Sequence, residues 1–586
     1  MKQKNDRKMV YVNSKDGNKR IGIPDKQRAL ILQGGGALGS YEIGVLQSIY
    51  EHIFKNGGEE EANGIEGARS INREHDGTQF FDIIAGVSIG AINAAYLIDY
   101  FLNNNGSWSD SPAKLREFWT NFKANTFADS NPMFPLMWNS MRMFNNNTAS
   151  LESARRYWSF YELACITPPF GGMSPNLCTS FFKFDYKYSS PINNCLLYNF
   201  QPLMHLISKN IKFPIKTYFE RNQPRLLLIS VDVKDCSTAV TFDSYPSYDT
   251  MCDICTKDLK ENKLLVEHVN QEHINPLLEN KDVDKEIIQK SFSIDNNDIK
   301  EDIKATKNHI WISVYGDEEN EQRKHVVCYN GIDEDKLLAS CLFPYSSYHP
   351  SLYDLVSKEK RTFWDGAFLN NTPLRELLQK HKDFWSSYFE ENKINYDKEG
   401  LQEDQRDEKK IESKEQSDHV SILPKIPDLE VFIVDLYPPI EELDEQIPID
   451  KDKIEDRMND IKFHDRSKYD EKVAHIITDY ISLTRKLIKL AKDTGKDSTE
   501  KINNILNKPG VSGKRNITEK RTLRNLLDDT FKVKVYRIER QDDSDSIFGK
   551  ASDFTPTTID SLYNSGKEDA DGWFVKNREY LETPFQ

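Results

Sequence analysis

The chain has no apolar run clean enough to cross a bilayer, few cysteines for its size and no surplus of positive charge. Its first residues, Met1 to Lys8, are polar, so the apolar stretch of a secretory signal is missing. The most apolar window, Phe80 to Leu102, is interrupted by Asp82, Ser88, Asn93 and Asp99, and reads as a buried strand followed by a buried helix. Eight cysteines among 586 residues, six of them isolated, build no disulfide framework and point to a reducing, cytoplasmic setting, with room for peripheral contact at a membrane. The formal net charge of -15 disfavours long-range attraction to nucleic acid or to an anionic membrane, and no nucleic-acid partner is expected. No interfacial helix stands out, although aromatic residues are plentiful, and no oligomeric state follows from the sequence.

What the chain does carry is a pair of glycine-punctuated turns. Arg28 to Gln33 is a short apolar run that enters Gly34-Gly35-Gly36-Ala37-Leu38-Gly39, and Ser40 to Ile49 follows with helical spacing. The unit repeats at Phe80 to Ala85, the turn Gly86-Val87-Ser88-Ile89-Gly90, and the small-residue helix from Ala91 to Ile98. Two successive strand-turn-helix units predict a parallel α/β sheet with its chemistry at the carboxyl ends of the strands. Leu226 to Val233, Leu429 to Leu436 and Phe531 to Ile538 are further strand candidates, the first two apolar enough for central strands.

A serine hydroxyl is a weak nucleophile until a base takes its proton, and a G-x-S-x-G turn lifts it off the sheet towards such a base. Ser88 is therefore the candidate nucleophile, with Gly86 and Gly90 allowing close backbone approach. The first turn also fits G-x-G-x-x-G, but a dinucleotide site needs an acidic residue at the end of the next strand, and Asn56 to Gly77 is a polar stretch with no evident strand end. The competing role is an oxyanion hole built from amides of Gly34, Gly35, Gly36, Ala37 and Gly39 at a helix N-terminus. Asp365-Gly366-Ala367 forms a later turn, and a carboxylate there could accept the serine proton directly; on local sequence alone an ordinary Asp-Gly turn explains it as well.

Together, the glycine turn with its apolar helix, the segment Gly86 to Ala94, and Trp364-Asp365-Gly366-Ala367 with Asn371 and Pro373 resemble the three signature motifs of the patatin-like phospholipases, in the family's order. Ala339 to Pro344 resembles the segment the family places ahead of its aspartate. The resemblance implies a three-layer α/β/α fold with a mainly parallel sheet and a Ser-Asp dyad: Ser88 as nucleophile, Asp365 as base, Gly366 and Ala367 in the proton-acceptor motif, and the first turn as oxyanion hole. It implies a serine acyl hydrolase of lipid esters that needs no cofactor for catalysis; a polyester depolymerase, a neutral-lipid lipase and a non-catalytic adaptor on the same fold are the alternatives. Leu38 stands where members often carry arginine. The residues from Asp452 onward, with Asp553-Phe554 and Thr557 to Asp571, are similar to the C-terminal extension of a microbial subgroup.

On this reading residues 1–27 form a tail, 28–440 the catalytic domain and 441–586 a mostly helical extension. Asp452 to Asp493 contains at least one long amphipathic helix, expected to pack on the main domain. Polar inserts interrupt the catalytic domain, including an acidic loop at 395–425. Cys252, Cys255, His268 and His273 have zinc-finger spacing, which makes 248–275 a candidate structural zinc insert. A rival triad would draw its base from His381, His419, His464 or His475.

Overall fold

The computed structural model describes residues 9–13, 20–55, 80–145, 150–164, 183–185, 197–234, 236, 239–245, 310–316, 322–328, 331–344, 346, 348–354, 359–392, 394, 424–438, 451–493, 496–514, 520–523, 531–541, 543 and 545–577. The finger-like insert, the acidic loop as far as residue 423, and His419 lie outside the described residues.

Residues before the first glycine turn form a hairpin, β1 (Met9–Asn13) and β2 (Arg20–Pro24), leading into β3 (Lys26–Leu32). Then come α1 (Gly39–Ile49), β4 (Ile83–Gly86), α2 (Ile89–Asn103), β5 (Arg225–Asp232), β6 (Val240–Asp243), β7 (Ile310–Gly316) and β8 (Gln322–Cys328). The remaining elements used below are β9 (Ser351–Asp354), β10 (Glu359–Asp365), α3 (Leu374–Glu391), β11 (Asp428–Asp435), α4 (Lys451–Phe463), α5 (Ser467–Asp493), α6 (Lys496–Leu506), β12 (Val533–Glu539) and α7 (Pro556–Lys576). The main sheet has the order β10-β9-β7-β8-β6-β5-β4-β3-β11-β12, with β10 also paired to β5.

Its centre, β5-β4-β3-β11-β12, is parallel throughout. Such strands are covered on both faces, and alternate residues separate cleanly. Leu30, Leu32, Ile84, Leu226, Leu228, Phe432 and Val434 face a large apolar cluster that takes in α1, α2 and α7. Ala29, Ile31, Ile83, Ala85, Leu227, Val431 and Ile433 face the other way, onto Leu374 and Leu377 of α3. The result is the three-layer α/β/α arrangement expected from the sequence.

The C-terminal residues are part of this body. β12 extends the sheet beside β11, and α7 lies along α1. Ser40 Oγ donates to the Ile559 carbonyl at 2.7 Å, Tyr41 Oη to Asp569 at 2.8 Å and Ser48 Oγ to Asp571 at 2.6 Å. Two glycines set the spacing. A methyl group on Gly44 would stand 2.0 Å from the Tyr563 carbonyl oxygen, and one on Gly566 would stand 2.1 Å from that of Tyr41. Backbone oxygens cannot yield as a side chain would.

The amphipathic stretch at 452–493 divides into α4 and α5, broken at 464–466. Ile481 and Ile488 of α5 pack with Ile502 and Leu506 of α6. A second face of α5 stays outside: Tyr469, Ile476, Tyr480, Leu483, Leu487 and Leu490 are exposed. Two apolar faces at different angles on one helix blur the single stripe by which an interfacial or docking helix is recognised in sequence. No helix among the described residues is long and apolar enough to cross a membrane.

Gly566→Ala is expected to lower stability by about 1–3 kcal/mol, because the added methyl group must push two helix backbones apart. Gly572, on the same helix with nothing within 4 Å of the equivalent position, is the control: Gly572→Ala should stabilise by roughly 0.5–1 kcal/mol. Thermal unfolding of the two variants checks both.

Candidate active site

Parallel pairing brings the two glycine turns side by side. Leu32 at the end of β3 is in register with Gly86 at the end of β4, and the Val87 amide continues the ladder to the Leu32 carbonyl at 3.1 Å. The chain then reverses sharply. Ser88 has φ 55° and ψ -124°, a conformation that costs a residue with a Cβ free energy and is held by its surroundings. Its amide donates to the Ser340 carbonyl at 3.0 Å, and its carbonyl accepts from the Ala91 amide at 2.9 Å and the Cys341 thiol at 3.1 Å. Both flanking glycines are required sterically: a methyl group on Gly86 would meet the Gly90 carbonyl oxygen at 2.5 Å, and one on Gly90 would meet the Leu32 carbonyl oxygen at 2.5 Å.

The first turn is fastened by side chains from the segment after Asp365. The Gly34 amide donates to Asn371 Oδ1 at 2.8 Å, and Asn371 Nδ2 donates back to the Gly34 carbonyl at 3.1 Å and to the Phe463 carbonyl at 3.0 Å. Gln33 Nε2 donates to Thr372 at 2.6 Å, while Gln33 Oε1 accepts the Leu436 amide at 2.8 Å. The Leu38 amide closes on the Gly35 carbonyl at 3.1 Å, and the Gly39 amide bonds the carbonyls of Gly36 and Ala37. Gly34 and Gly39 thus spend their amides within the scaffold. Among the described residues, none of the turn's hydrogen bonds uses the amides of Gly35, Gly36 or Ala37.

Gly36 has φ +55°, and a methyl group on it would lie 2.1 Å from the Ala551 carbonyl oxygen, so the C-terminal region backs this turn. The preceding residue, Lys550, is itself buried and reaches Asp456 at 3.0 Å and Asp460 at 2.5 Å on α4. Leu38, at the position where arginine was the expected family residue, is buried in the main apolar cluster. Beneath the turn, Asn93 Nδ2 donates to the Gly39 carbonyl at 3.2 Å and to Glu42 at 2.8 Å, and its Oδ1 accepts from Trp119 at 2.7 Å. Burial raises the Glu42 carboxyl well above its usual range.

Asp365 arrives at the same place from the other side. β10 runs antiparallel to β5, with Asp365 opposite Ser230, and β5 is the neighbour of β4. The Asp365 amide donates to the Leu342 carbonyl at 3.0 Å, and Oδ1 accepts the Ala367 amide at 2.9 Å. Gly366 packs so tightly that a methyl group there would stand 2.4 Å from the Ile229 carbonyl oxygen. Asp365 is fully buried, and burial raises its pKa to about 7, against the lowering influence first of the Ser88 side chain and then of the Ala367 amide. Oδ2 has no partner of full hydrogen-bond geometry. The carboxyl is therefore near enough to Ser88 to be stabilised by it, without a closed hydrogen bond. A base whose pKa lies near neutrality is well matched to proton transfer from an alcohol.

Gly34 completes the enclosure, since a methyl group on it would contact Ser88 Cβ at 2.8 Å and Ala367 Cβ at 3.2 Å. Ser88, Asp365, Gly34 to Ala37, and Gly366-Ala367 are thus brought together by three strand ends, those of β3, β4 and β10. The histidines considered for a triad are elsewhere engaged. His381 is buried against the Pro427 carbonyl at 2.8 Å and its pKa is lowered to about 3, His464 bonds the Ile461 carbonyl, and His475 pairs with Glu471. Sequence reading named Asn371 as part of a motif but not as the clamp on the glycine turn. It did not anticipate Cys341, Ser340 or Gln33 as supports of the elbow and the turn, because each acts through backbone atoms distant in the chain.

Apolar side chains stand around the site. Phe343 follows the residue that holds the Asp365 amide, Phe368 and Leu369 follow Asp365, and the Phe343 and Phe368 rings are 6.2 Å apart, edge to face. All three are about 40 % exposed. Lys462 of α4 lies over the Phe368 ring at 5.0 Å, and Ile461 and Met458 continue the apolar surface on that helix. A cleft of about 710 Å³ at the far end of α2, lined by Tyr96, Asp99, Tyr100 and Lys212 among others, contains neither Ser88 nor Asp365.

The crystal structure of VipD from Legionella pneumophila is similar over 97 % of this chain and 70 % of that one, at 10 % identity and a TM-score of 0.22, too weak to carry an argument. No curated protein matches the sequence significantly. The family model described as patatin-like phospholipase matches residues 30–378, more than half of the 586 residues. The chain therefore belongs to the patatin-like phospholipases, a family of lipid acyl hydrolases.

Proposed function

We propose that this protein hydrolyses acyl esters of lipids through a dyad of Ser88 and Asp365. The observation that carries the reading is the unpartnered Oδ2 of a buried Asp365, whose pKa is raised to about 7, beside a serine held at positive φ on a strand-to-helix elbow. Ser88 Oγ attacks the ester carbonyl while its proton passes to Asp365 Oδ2. The carbonyl oxygen becomes an oxyanion at the amides of Gly35, Gly36 and Ala37, where the N-terminal end of α1 adds positive potential. Collapse breaks the bond to the alcohol, which leaves with the proton from Asp365, and Ser88 keeps the acyl group. Water then repeats the sequence: it gives its proton to Asp365, attacks the acyl carbonyl, and Ser88 recovers the proton as the fatty acid departs. The exposed Phe343, Phe368 and Leu369 offer apolar contact to an acyl chain, which favours lipid esters over short soluble ones.

A fluorophosphonate probe should label Ser88, and Ser88→Ala should abolish both labelling and ester turnover with an unchanged circular dichroism spectrum; turnover that survives the substitution would refute the dyad.

Because Asp365 must be ionised to act, kcat/KM should rise with pH and level off above about 7. The same shift fixes the sign of a stability effect. The folded protein holds this proton between pH 4 and 7 whereas the unfolded chain releases it, so the stabilisation present at low pH is lost as pH rises through 7. Asp365→Asn should therefore abolish turnover yet stabilise the fold at pH 8, by at most about 4 kcal/mol, and far less at pH 4. Thermal unfolding at the two pH values measures the difference.

Phe368→Glu should raise KM severalfold for long-chain esters and leave a soluble acetyl ester almost unaffected. Equal losses on both substrates would argue against an acyl-contact role for this rim.

A further inference from the structure

The outward face of α5 has a repeat that its packing within the chain does not explain. Tyr469, Val473, Ile476, Tyr480, Leu483, Leu487 and Leu490 alternate in steps of four and three, a strict heptad seam over three turns of the repeat and about 30 Å of helix. Tyr469, Tyr480 and Leu490 are 72 %, 67 % and 65 % exposed, and Leu483 and Leu487 are more than half exposed. This seam is separate from the face that carries Ile481 and Ile488, which pack on α6. A globular body that had only to bury α5 would need one apolar face. Here the helix has two, and the second has the period of a coiled coil.

We propose that this seam is a self-association surface, on which α5 of a second copy of this chain packs antiparallel. The charges beside the seam select both the occupant and the direction. The positions immediately before the seam residues Val473, Tyr480 and Leu487 are Lys472, Asp479 and Lys486. In a parallel pair these face the positions after Ile476, Leu483 and Leu490 of the other helix, namely Ile477, Thr484 and Ala491 in turn, and no charge finds an opposite. In an antiparallel pair the series faces itself. When Tyr480 lies opposite Leu483 of the second copy, Asp479 meets Lys486, and the two-fold axis makes the pair twice.

The same register sets Val473 against Leu490 and Leu487 against Ile476, so the core layers between Val473 and Leu490 are lined by Val, Ile, Leu and Tyr. Among the described residues Asp479 and Lys486 are exposed and take part in no ion pair within the chain. The helix is already formed and seated on the body, so association incurs none of the entropy of helix nucleation. A lipid surface fits less well. Asp470 and Asp479 flank the seam at positions where an interfacial helix carries lysine or arginine, and the chain as a whole bears a net charge of -15.

Sedimentation velocity of the full chain from submicromolar to about 50 μM tests the pairing. The wild-type protein is expected to be dimeric in the upper part of this range, and Leu483→Glu, at an exposed position, is expected to be monomeric with an unchanged circular dichroism spectrum. Asp479→Lys and Lys486→Asp should each weaken the dimer by roughly tenfold or more, since each replaces two attractions by two repulsions. An equimolar mixture of those two variants should recover the association as a heterodimer, and the double variant should recover it alone. A protein that stays monomeric throughout, a dimer that survives Leu483→Glu, or charge variants that associate normally alone and gain nothing when mixed would overturn the proposal. So would a monomer that floats with phosphatidylserine vesicles through Leu483.

Discussion

A methyl group on Gly34 would sit 2.8 Å from Ser88 Cβ, and one on Gly90 would sit 2.5 Å from the carbonyl oxygen where β3 ends. These two contacts state the main constraint of the molecule: the turns after β3 and β4 must touch with no side chain between them. From that contact the other features of the site follow. The elbow holds Ser88 at positive φ because its neighbours leave the chain no other path. The glycine turn, pressed against the elbow, needs an outside partner for its amide, and Asn371 supplies one from the segment that follows Asp365. Ser88, Asp365 and the amides of the glycine turn are thus fixed by one packing decision, and a change in any of these glycines disturbs all three.

Burial of Asp365 is the second determinant. An exposed aspartate is too weak a base to share a proton with an alcohol, and a fully desolvated one without support would remain protonated. The Ala367 amide on one oxygen and the proximity of Ser88 leave the carboxyl between these limits, near neutrality. The fold therefore carries a carboxyl that is costly to ionise. Cys341 occupies the same enclosure, and burial together with the Asp365 charge keeps its thiol protonated, so that it donates to the Ser88 carbonyl and does not compete as a nucleophile.

Local signals made much of this legible. Arg28 to Gln33 and Phe80 to Ala85 are short apolar runs that stop at glycine, and they became adjacent parallel strands because a run buried on both faces has few other uses. Asp365 needed the resemblance of three motifs, since an Asp-Gly turn alone is ambiguous. Leu38 was an unexplained departure from an arginine; in the structure it belongs to the core behind the turn, where an apolar side chain is at home. Gly34 and Gly39 illustrate the opposite difficulty. As glycines in the right motif they read as oxyanion donors, but their amides are engaged by Asn371 and by the turn itself, partners that only the assembled site specifies. The second apolar face of α5 was hidden for a related reason, because two faces on one helix sum to a pattern with no clean period.

The crossing of α1 and α7 has a consequence for the life of the chain before it is finished. Ser40, at the start of the helix that carries the glycine turn, is bonded to a carbonyl 519 residues further along. During synthesis from the N-terminus, β3, the glycine turn, the elbow and finally Asp365 leave the ribosome while the surface meant for α7 is still bare. The apolar side of α1 must wait until α7 is made. Contacts of such long range form slowly. The site is in this way assembled last where it matters most, and a nascent chain interrupted before α7 carries Ser88 and Asp365 without the helix that packs along α1.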